Sequence, residues 1–206
     1  MNFLFVIFIS TALIGCVEVA KRKFRLSSAI TRRVTHIGAA LIAATAALFI
    51  NQMMLIFVCA LFAAIMFLGR RTALFSSIHD VERRTFGDVY LPLGVAICAV
   101  IFLPHNVSAF QYGVLVMGIS DALAGLIGER FGRHPVTFFG NTKSVEGTLT
   151  FFVCTLVLTL LFVPTFGPHV ILIAAILTLV EFLLVYGLDN VVLPVLGGFL
   201  IQFLIV

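Results

Sequence analysis

The sequence predicts an all-α fold: a polytopic membrane bundle of seven or eight transmembrane helices in one domain over residues 1–206, amino terminus outside. Three observations predict it. Apolar residues fill 62% of the 206 positions and charged ones only 11%, against roughly 45–50% and about 25% in soluble domains. The apolar residues gather into runs close to the ~20 positions that span a bilayer. The basic residues sit on alternate connections between those runs. A mean hydropathy of +1.21 excludes a soluble globule, and 22 Phe with so few charges exclude a disordered chain.

The runs fall at 2–20, 34–50, 52–69, 89–103, 109–128, 147–163, 169–186 and 190–206. The second and third are joined only around Asn51. The last carries Pro194, Gly197 and Gly198, which is why seven spans compete with eight. The first run has neither a basic start nor a small-residue cleavage site, so it reads as a retained span and not a signal peptide.

All 13 Lys and Arg lie between spans one and two (Lys21 to Arg33), three and four (Arg70, Arg71, Arg83, Arg84) or five and six (Arg130, Arg133, Lys143). The opposite connections hold none, which sets the basic loops in the cytoplasm. The net charge of +4 thus belongs to one face, where it attracts anionic lipid headgroups or a polyanionic ligand. No loop is long enough for a base-reading module, so nucleic acid is not an expected partner. Cys16, Cys59, Cys98 and Cys154 each stand alone in an apolar run and read as packing residues.

Carboxylates inside spans cost about 2.5–3.5 kcal/mol each on insertion scales and flag function. Glu18 is within a turn of Lys21 and snorkels. Asp121 lies about 12 Å of helix from the Glu129 boundary, at 1.5 Å per residue. Asp121, Gly125, Gly128 and Gly132 share one helix face. That stripe reads as close helix packing and also as a bare strip leading to a buried carboxylate. Downstream, Thr142 or Ser144 caps the helix that begins near Gly147, beside Lys143, and a helix start next to a lysine favours an anion. A Walker-type phosphate loop is excluded because Thr142, not Gly, precedes Lys143. Arg32, Arg33 and His36 share a face of span two, Arg84 to Asp88 enter span four, and Asp189-Asn190 open the last span with Glu181 about two turns earlier.

Taken together, Gly118-Ile-Ser-Asp121-Ala-Leu-Ala-Gly-Leu-Ile-Gly128 through Phe131-Gly132-Arg133, then Lys143-Ser144-Val-Glu146-Gly147-Thr148, resemble the central signature of the dolichol kinase, phytol kinase and CTP-dependent diacylglycerol kinase family. Arg32-Arg33-Val-Thr-His36-Ile-Gly38, Arg84-Thr85-Phe-Gly87-Asp88, and Glu181 with Asp189-Asn190-Val-Val-Leu-Pro194 are similar to its other segments, in order over residues 18 to 194. Ser120 stands where that family commonly has Gly. The signature is also similar to that of phosphatidate cytidylyltransferases, which carry Pro-Lys-Lys-Thr where this chain has Asn-Thr-Lys-Ser. The resemblance implies phosphoryl transfer from CTP, with Mg²⁺, to the hydroxyl of a lipid alcohol (polyprenol or dolichol, phytol-like, or diacylglycerol).

On this reading Asp121 holds the metal, with Glu146 or Asp189 as partners. Lys143, Arg133 and the backbone near Ser144 and Gly147 hold the nucleotide, with Arg33, Arg84, Gly125, Gly128, Glu181, Asp189 and Asn190 around it. Asp121, Glu181 or His36 accepts the hydroxyl proton. The readings set against it are nucleotidyl transfer from CTP to a lipid phosphate and a small ion or solute transporter. The absence of targeting tails and the short chain point to a prokaryotic plasma membrane, with the site on its cytoplasmic side.

Overall fold

The computed structural model describes residues 3–72, 86–138, 141–163 and 165–205. Arg84 and its neighbours to Arg83 lie outside these residues. The helices follow the apolar runs closely: α1 (Phe3–Phe24), α2 (Ser28–Ala46), α3 (Gln52–Thr72), α4 (Gly87–Phe102), α5 (Val107–Leu115), α6 (Asp121–Phe131), α7 (Val145–Phe162), α8 (Pro168–Leu183) and α9 (Asp189–Ile205). Between α5 and α6 the chain stays helical through a π turn, Val116–Ser120, so residues 107–131 form one rod. Among the described residues four helices are long and apolar enough to cross a membrane (α1, α3, the rod 107–131 and α7), and α4, α8 and α9 are shorter apolar helices. Large apolar side chains such as Phe8, Leu161 and Phe203 stand exposed around the outside, as they do where lipid is the solvent. The chain is an integral membrane protein.

Local chemistry sets the helix ends. Arg25, at φ 51°, turns the chain out of α1 while the Leu26 amide donates to Lys21 O (3.2 Å), the six-to-one bond of a Schellman end. Ser27 then caps α2 by accepting from the Ile30 amide. Asn51 accepts from the Met54 amide at 2.8 Å, and Asn106 from the Ala109 amide at 2.9 Å, so both of these joints carry asparagine caps. Pro194 does not interrupt α9, which is continuous past it.

The rod 107–131 is the axis of the bundle: 56% of it is buried, against 17% of α1. Phe110 and Tyr112 are fully enclosed with Phe102, Phe151, Leu177, Leu193 and Ile201. Some of the polar groups in this core pair across helices. Tyr112 and Thr159 hydroxyls meet at 2.8 Å, and Gln111 Nε2 donates to Ala44 O at 2.9 Å. Small residues let the backbones close. A Cβ on Gly94 would fall on the Asn190 carbonyl, and one on Gly113 on the Pro194 carbonyl, so α9 lies directly against α4 and α5.

After Arg133 the chain forms a hairpin, β1 (Pro135–Phe138) with β2 (Asn141–Ser144), paired Pro135 to Ser144 and Val136 to Lys143. It leans on α8, where the Phe138 and Phe182 rings lie 6.2 Å apart. Its strands lead straight into α7, so the hairpin positions Lys143 and the α7 start together.

Gly94→Ala is expected to lower stability by about 1–3 kcal/mol, the usual cost of overpacking, seen as a lower melting temperature in detergent. Gly15→Ala, whose Cβ would enter open space, is expected to leave the melting temperature unchanged or raise it. Equal melting of the two variants would refute the close α4–α9 contact.

Candidate active site

At the end of the bundle that carries the basic loops, a polar cavity of about 310 Å³ opens among α2, α6, β2, α7 and the segment joining α8 to α9. Each wall follows from a motif. From α2 come Arg32, Arg33 and His36; from α6, Asp121, Gly125, Gly128 and Glu129; from β2 and α7, Lys143, Ser144, Gly147 and Thr148; from the α8–α9 region, Glu181, Asp189 and Asn190.

Ser144 resolves the choice of cap: its Oγ accepts from the Gly147 amide at 3.1 Å, while Thr142 instead pairs its hydroxyl with Thr137 across the hairpin at 3.1 Å. The glycines of α6 serve contact. A Cβ on Gly128 would meet Ser144 Oγ at 2.9 Å, and a Cβ on Gly147 would meet the Ala124 carbonyl at 2.9 Å. Gly125 leaves the space taken by the Arg33 guanidinium, which a Cβ there would overlap at 2.5 Å. The stripe is thus both a packing face and a gap that admits a cation.

Two ion pairs brace the walls. Arg33 grips Glu129 in a two-pronged contact, Nη1 to Oε2 at 2.8 Å and Nη2 to Oε1 at 2.5 Å, and also donates to Ala29 O at 3.1 Å. Lys143 Nζ donates to Glu181 Oε1 at 2.6 Å and to the Glu181 carbonyl. Glu181 is 5% exposed and its other oxygen, Oε2, has no hydrogen-bond partner. Thr148 Oγ1 and Asn190 Oδ1 are likewise buried without partners. The Asn190 amide side donates to Gly87 O at 3.1 Å, hooking α9 to the start of α4. There the backbone of Gly187, at φ +87°, lies too close to Gly87 for any side chain.

With those pairs made, Asp121 and Asp189 are left facing the same space. Asp121 accepts no hydrogen bond among the described residues, and Asp189 accepts only from the adjacent Asn190 amide, at 3.0 Å. Asp121 lies within electrostatic reach of Asp189, Glu181, Lys143 and Arg32. Two carboxylates without an ion-pair partner among the described residues, in one cavity with Arg32 and Lys143, form a donor set suited to a hard divalent cation that shares its shell with phosphate. Among the described residues no three His, Cys, Asp or Glu side chains gather as a complete metal cage.

Other expected site residues stand elsewhere. Both Glu146 oxygens turn to His134, Oε1 to Nδ1 at 2.7 Å and Oε2 to the amide at 3.4 Å, and Glu146 does not line the cavity. This corrects its expected place beside Asp121: the hairpin carries His134 to it, and the pair clasps the loop to the α7 start. Arg133 is exposed and outside the cavity lining. Arg33 lines the cavity, but Glu129 already engages its guanidinium. Arg84 lies outside the described residues. Arg32 and Thr148 complete the lining although neither was singled out as a site residue. The signal for Thr148 was its place one turn after the Ser144 cap; the pairing of Arg33 with Glu129, 96 positions away, has no local signal.

Removing one partner of a buried pair strands the other charge, at a cost of roughly 3–5 kcal/mol. Lys143→Met is therefore expected to lower the melting temperature in detergent strongly, and Lys143→Met with Glu181→Leu to recover most of the loss. A double variant no more stable than the single one would refute the pairing.

No family model matches the chain, and no solved structure does. Over 199 residues it is 31% identical to a phytol kinase of Synechocystis sp., covering 92% of this chain and 85% of that protein. An uncharacterized protein of Methanocaldococcus jannaschii is 32% identical over 118 residues, 56% of this chain and 58% of that one. A dolichol kinase of Saccharomyces cerevisiae is 31% identical over 90 residues, 41% of this chain and 17% of the yeast protein. A likeness to the phytol kinase over 92% of this chain places it in the lipid-alcohol kinase family.

Proposed function

We propose that the protein transfers the terminal phosphoryl group of a nucleoside triphosphate, CTP in the family resemblance, to the hydroxyl of a lipid alcohol of the phytol, polyprenol or diacylglycerol type. The cavity carries this reading: it sets Asp121 and Asp189 opposite Arg32 and Lys143 at the end of a membrane bundle, where a nucleotide from water meets a substrate from lipid. We place that end in the cytoplasm, from the one-sided basic loops, with the amino terminus outside.

Phosphoryl transfer needs mainly positioning and charge neutralisation. Lys143 and Arg32 offer cationic donors to the triphosphate, and the start of α7 at Ser144 and Gly147 adds the positive end of a helix. Asp121 and Asp189 would hold Mg²⁺, which would supply positive charge to offset that of the phosphates. Glu181, held by Lys143, keeps that ammonium aimed along the cavity wall. Of the three groups read as proton acceptors, Glu181 is tied to Lys143 and Asp121 is assigned to the cation. His36 makes no hydrogen bond among the described residues and takes the hydroxyl proton on this reading.

Purified protein in lipid vesicles, given γ-labelled CTP, Mg²⁺ and a panel of long-chain alcohols, is expected to yield a labelled lipid monophosphate and CDP. Asp121→Asn is expected to reduce kcat/KM by at least about 100-fold, the scale for losing one preorganised charge at a reacting centre. Full turnover by Asp121→Asn would refute its role. Release of pyrophosphate with the nucleotide left on the lipid would replace the kinase reading with nucleotidyl transfer.

A further inference from the structure

A second cavity lies beside the polar one, and its composition is the opposite. It is a narrow slot of about 100 Å³ enclosed by α1, α2, α3 and α4, walled by residues such as Leu13, Ala39, Cys59, Phe62 and Val95. Its polar lining gathers in the first half of α2 and the start of α4, at Arg32, Thr35, His36 and Asp88, with Ser10 of α1 the one exception. Arg32 and His36 also line the polar cavity. The two spaces therefore meet across one pair of side chains, apolar on one side and ionic on the other.

The slot has the length of a lipid chain spanning one leaflet. From Met66 to Leu55 its wall runs about 16 Å along α3, at 1.5 Å per residue, which is close to half of a ~30 Å hydrocarbon core. A slot one leaflet deep matches a single hydrocarbon chain in length; at about 100 Å³ it is smaller than the ~150 Å³ that takes one benzene ring, so a chain enters by parting the walls.

We infer that this slot receives the hydrocarbon chain of a single-chain acceptor alcohol and brings its hydroxyl to the His36–Arg32 junction with the polar cavity. The inference rests on the kinase reading and adds to it where the acceptor lies. Moving a chain from bilayer to slot removes no apolar surface from water, so the slot contributes little affinity. It supplies register instead: it fixes the depth at which the hydroxyl meets the phosphate, and a misplacement of about 1 Å is enough to slow a reaction by about 100-fold.

The test uses the full chain in phosphatidylcholine vesicles with a long-chain primary alcohol bearing a mid-chain diazirine and a terminal alkyne. After irradiation, adducts are mapped by mass spectrometry. They are expected on slot residues of α1 and α3, such as Leu13, Phe62 and Met66, and to fall at least about fivefold with excess unlabelled phytol, as saturable binding at one site requires. Ala39→Phe and Cys59→Phe fill the slot. Each is expected to abolish these adducts and to lower kcat/KM for long-chain alcohols about tenfold or more through lost positioning, with the KM for CTP unchanged.

Adducts spread over outward-facing residues such as Leu161 and Phe203, without competition, would overturn the slot while leaving phosphorylation, and so the kinase reading, standing. Phytol-sensitive adducts in the slot without any phosphorylated product would uphold the slot as a lipid-alcohol site and refute the kinase reading. Strong competition by diacylglycerol but none by phytol would overturn the single-chain assignment. Because the adduct map is made on the unaltered chain, it decides the matter even if a filling variant fails to fold.

Discussion

A carboxylate inside a membrane must be matched by a cation, and almost everything at the basic end of this bundle serves that constraint. Glu181 sits two residues inside the end of α8, 5% exposed, and the helix alone has nothing to offer it. The cation comes from a different part of the chain, Lys143 on the hairpin. To reach Glu181 the hairpin has to lie across the end of α8, and the contact between Phe138 and Phe182 holds it there. Lys143 is followed at once by the Ser144 cap, so fixing the lysine also fixes the first turn of α7. One buried charge thus dictates where an otherwise exposed two-stranded element goes.

That arrangement requires helices closer than ordinary side chains allow. α6 and α7 meet through Gly128 and Gly147, and α2 reaches α6 by placing a guanidinium where Gly125 has no side chain. In lipid, helices gain little from hiding apolar surface, and close backbone contact with interhelical polar bonds does more of the work. The same glycines therefore serve stability and access. They let three helices converge, and by omitting side chains they leave a cavity at the convergence. The π turn at Val116–Ser120 lies immediately before Asp121; π turns inside helices recur at functional sites, and here the axial rod changes its winding where the buried carboxylate begins.

Much of this was legible in the sequence because the signals are local. Every apolar run became a helix, and the Asn51 joint and a cap at Thr142 or Ser144 follow from neighbours within a turn; the last run, left open by Pro194, Gly197 and Gly198, is continuous in α9. The ordered motifs around Asp121, Lys143 and Asp189 pointed to one cavity because helices in a bundle bring equal depths together. What escaped depends on distant partners. The Arg33–Glu129 pair spans 96 positions, and read along the chain Glu129 was only a helix boundary. Glu146 looked like a second metal ligand because it follows Lys143 and Ser144, yet the hairpin brings His134 against it instead. The π turn has no composition signal, since Val116 to Ser120 would read equally well as ordinary helix. The slot between α1 and α4 was hidden for a similar reason, because its walls are the same Leu, Ala, Val and Phe that make any span.

The meeting of the two cavities has a consequence for selectivity. A kinase exposed to water must prevent water from taking the phosphoryl group, because water is a competent acceptor at far higher concentration than any lipid. Here the acceptor side of the junction is walled by Leu91, Pro92 and Val95, groups that cannot hold a hydrogen-bonded chain of water. An occupied slot presents a hydroxyl there and little else, so the hydrocarbon both orients the nucleophile and excludes its competitor. On this reading the apolar tail is not a passive anchor. An alcohol too short to fill the slot would leave the junction open to water, and its turnover would be expected to come with increased hydrolysis of the donor. Selectivity for long-chain alcohols would then follow from the shape of the empty space, without any residue that recognises the chain itself.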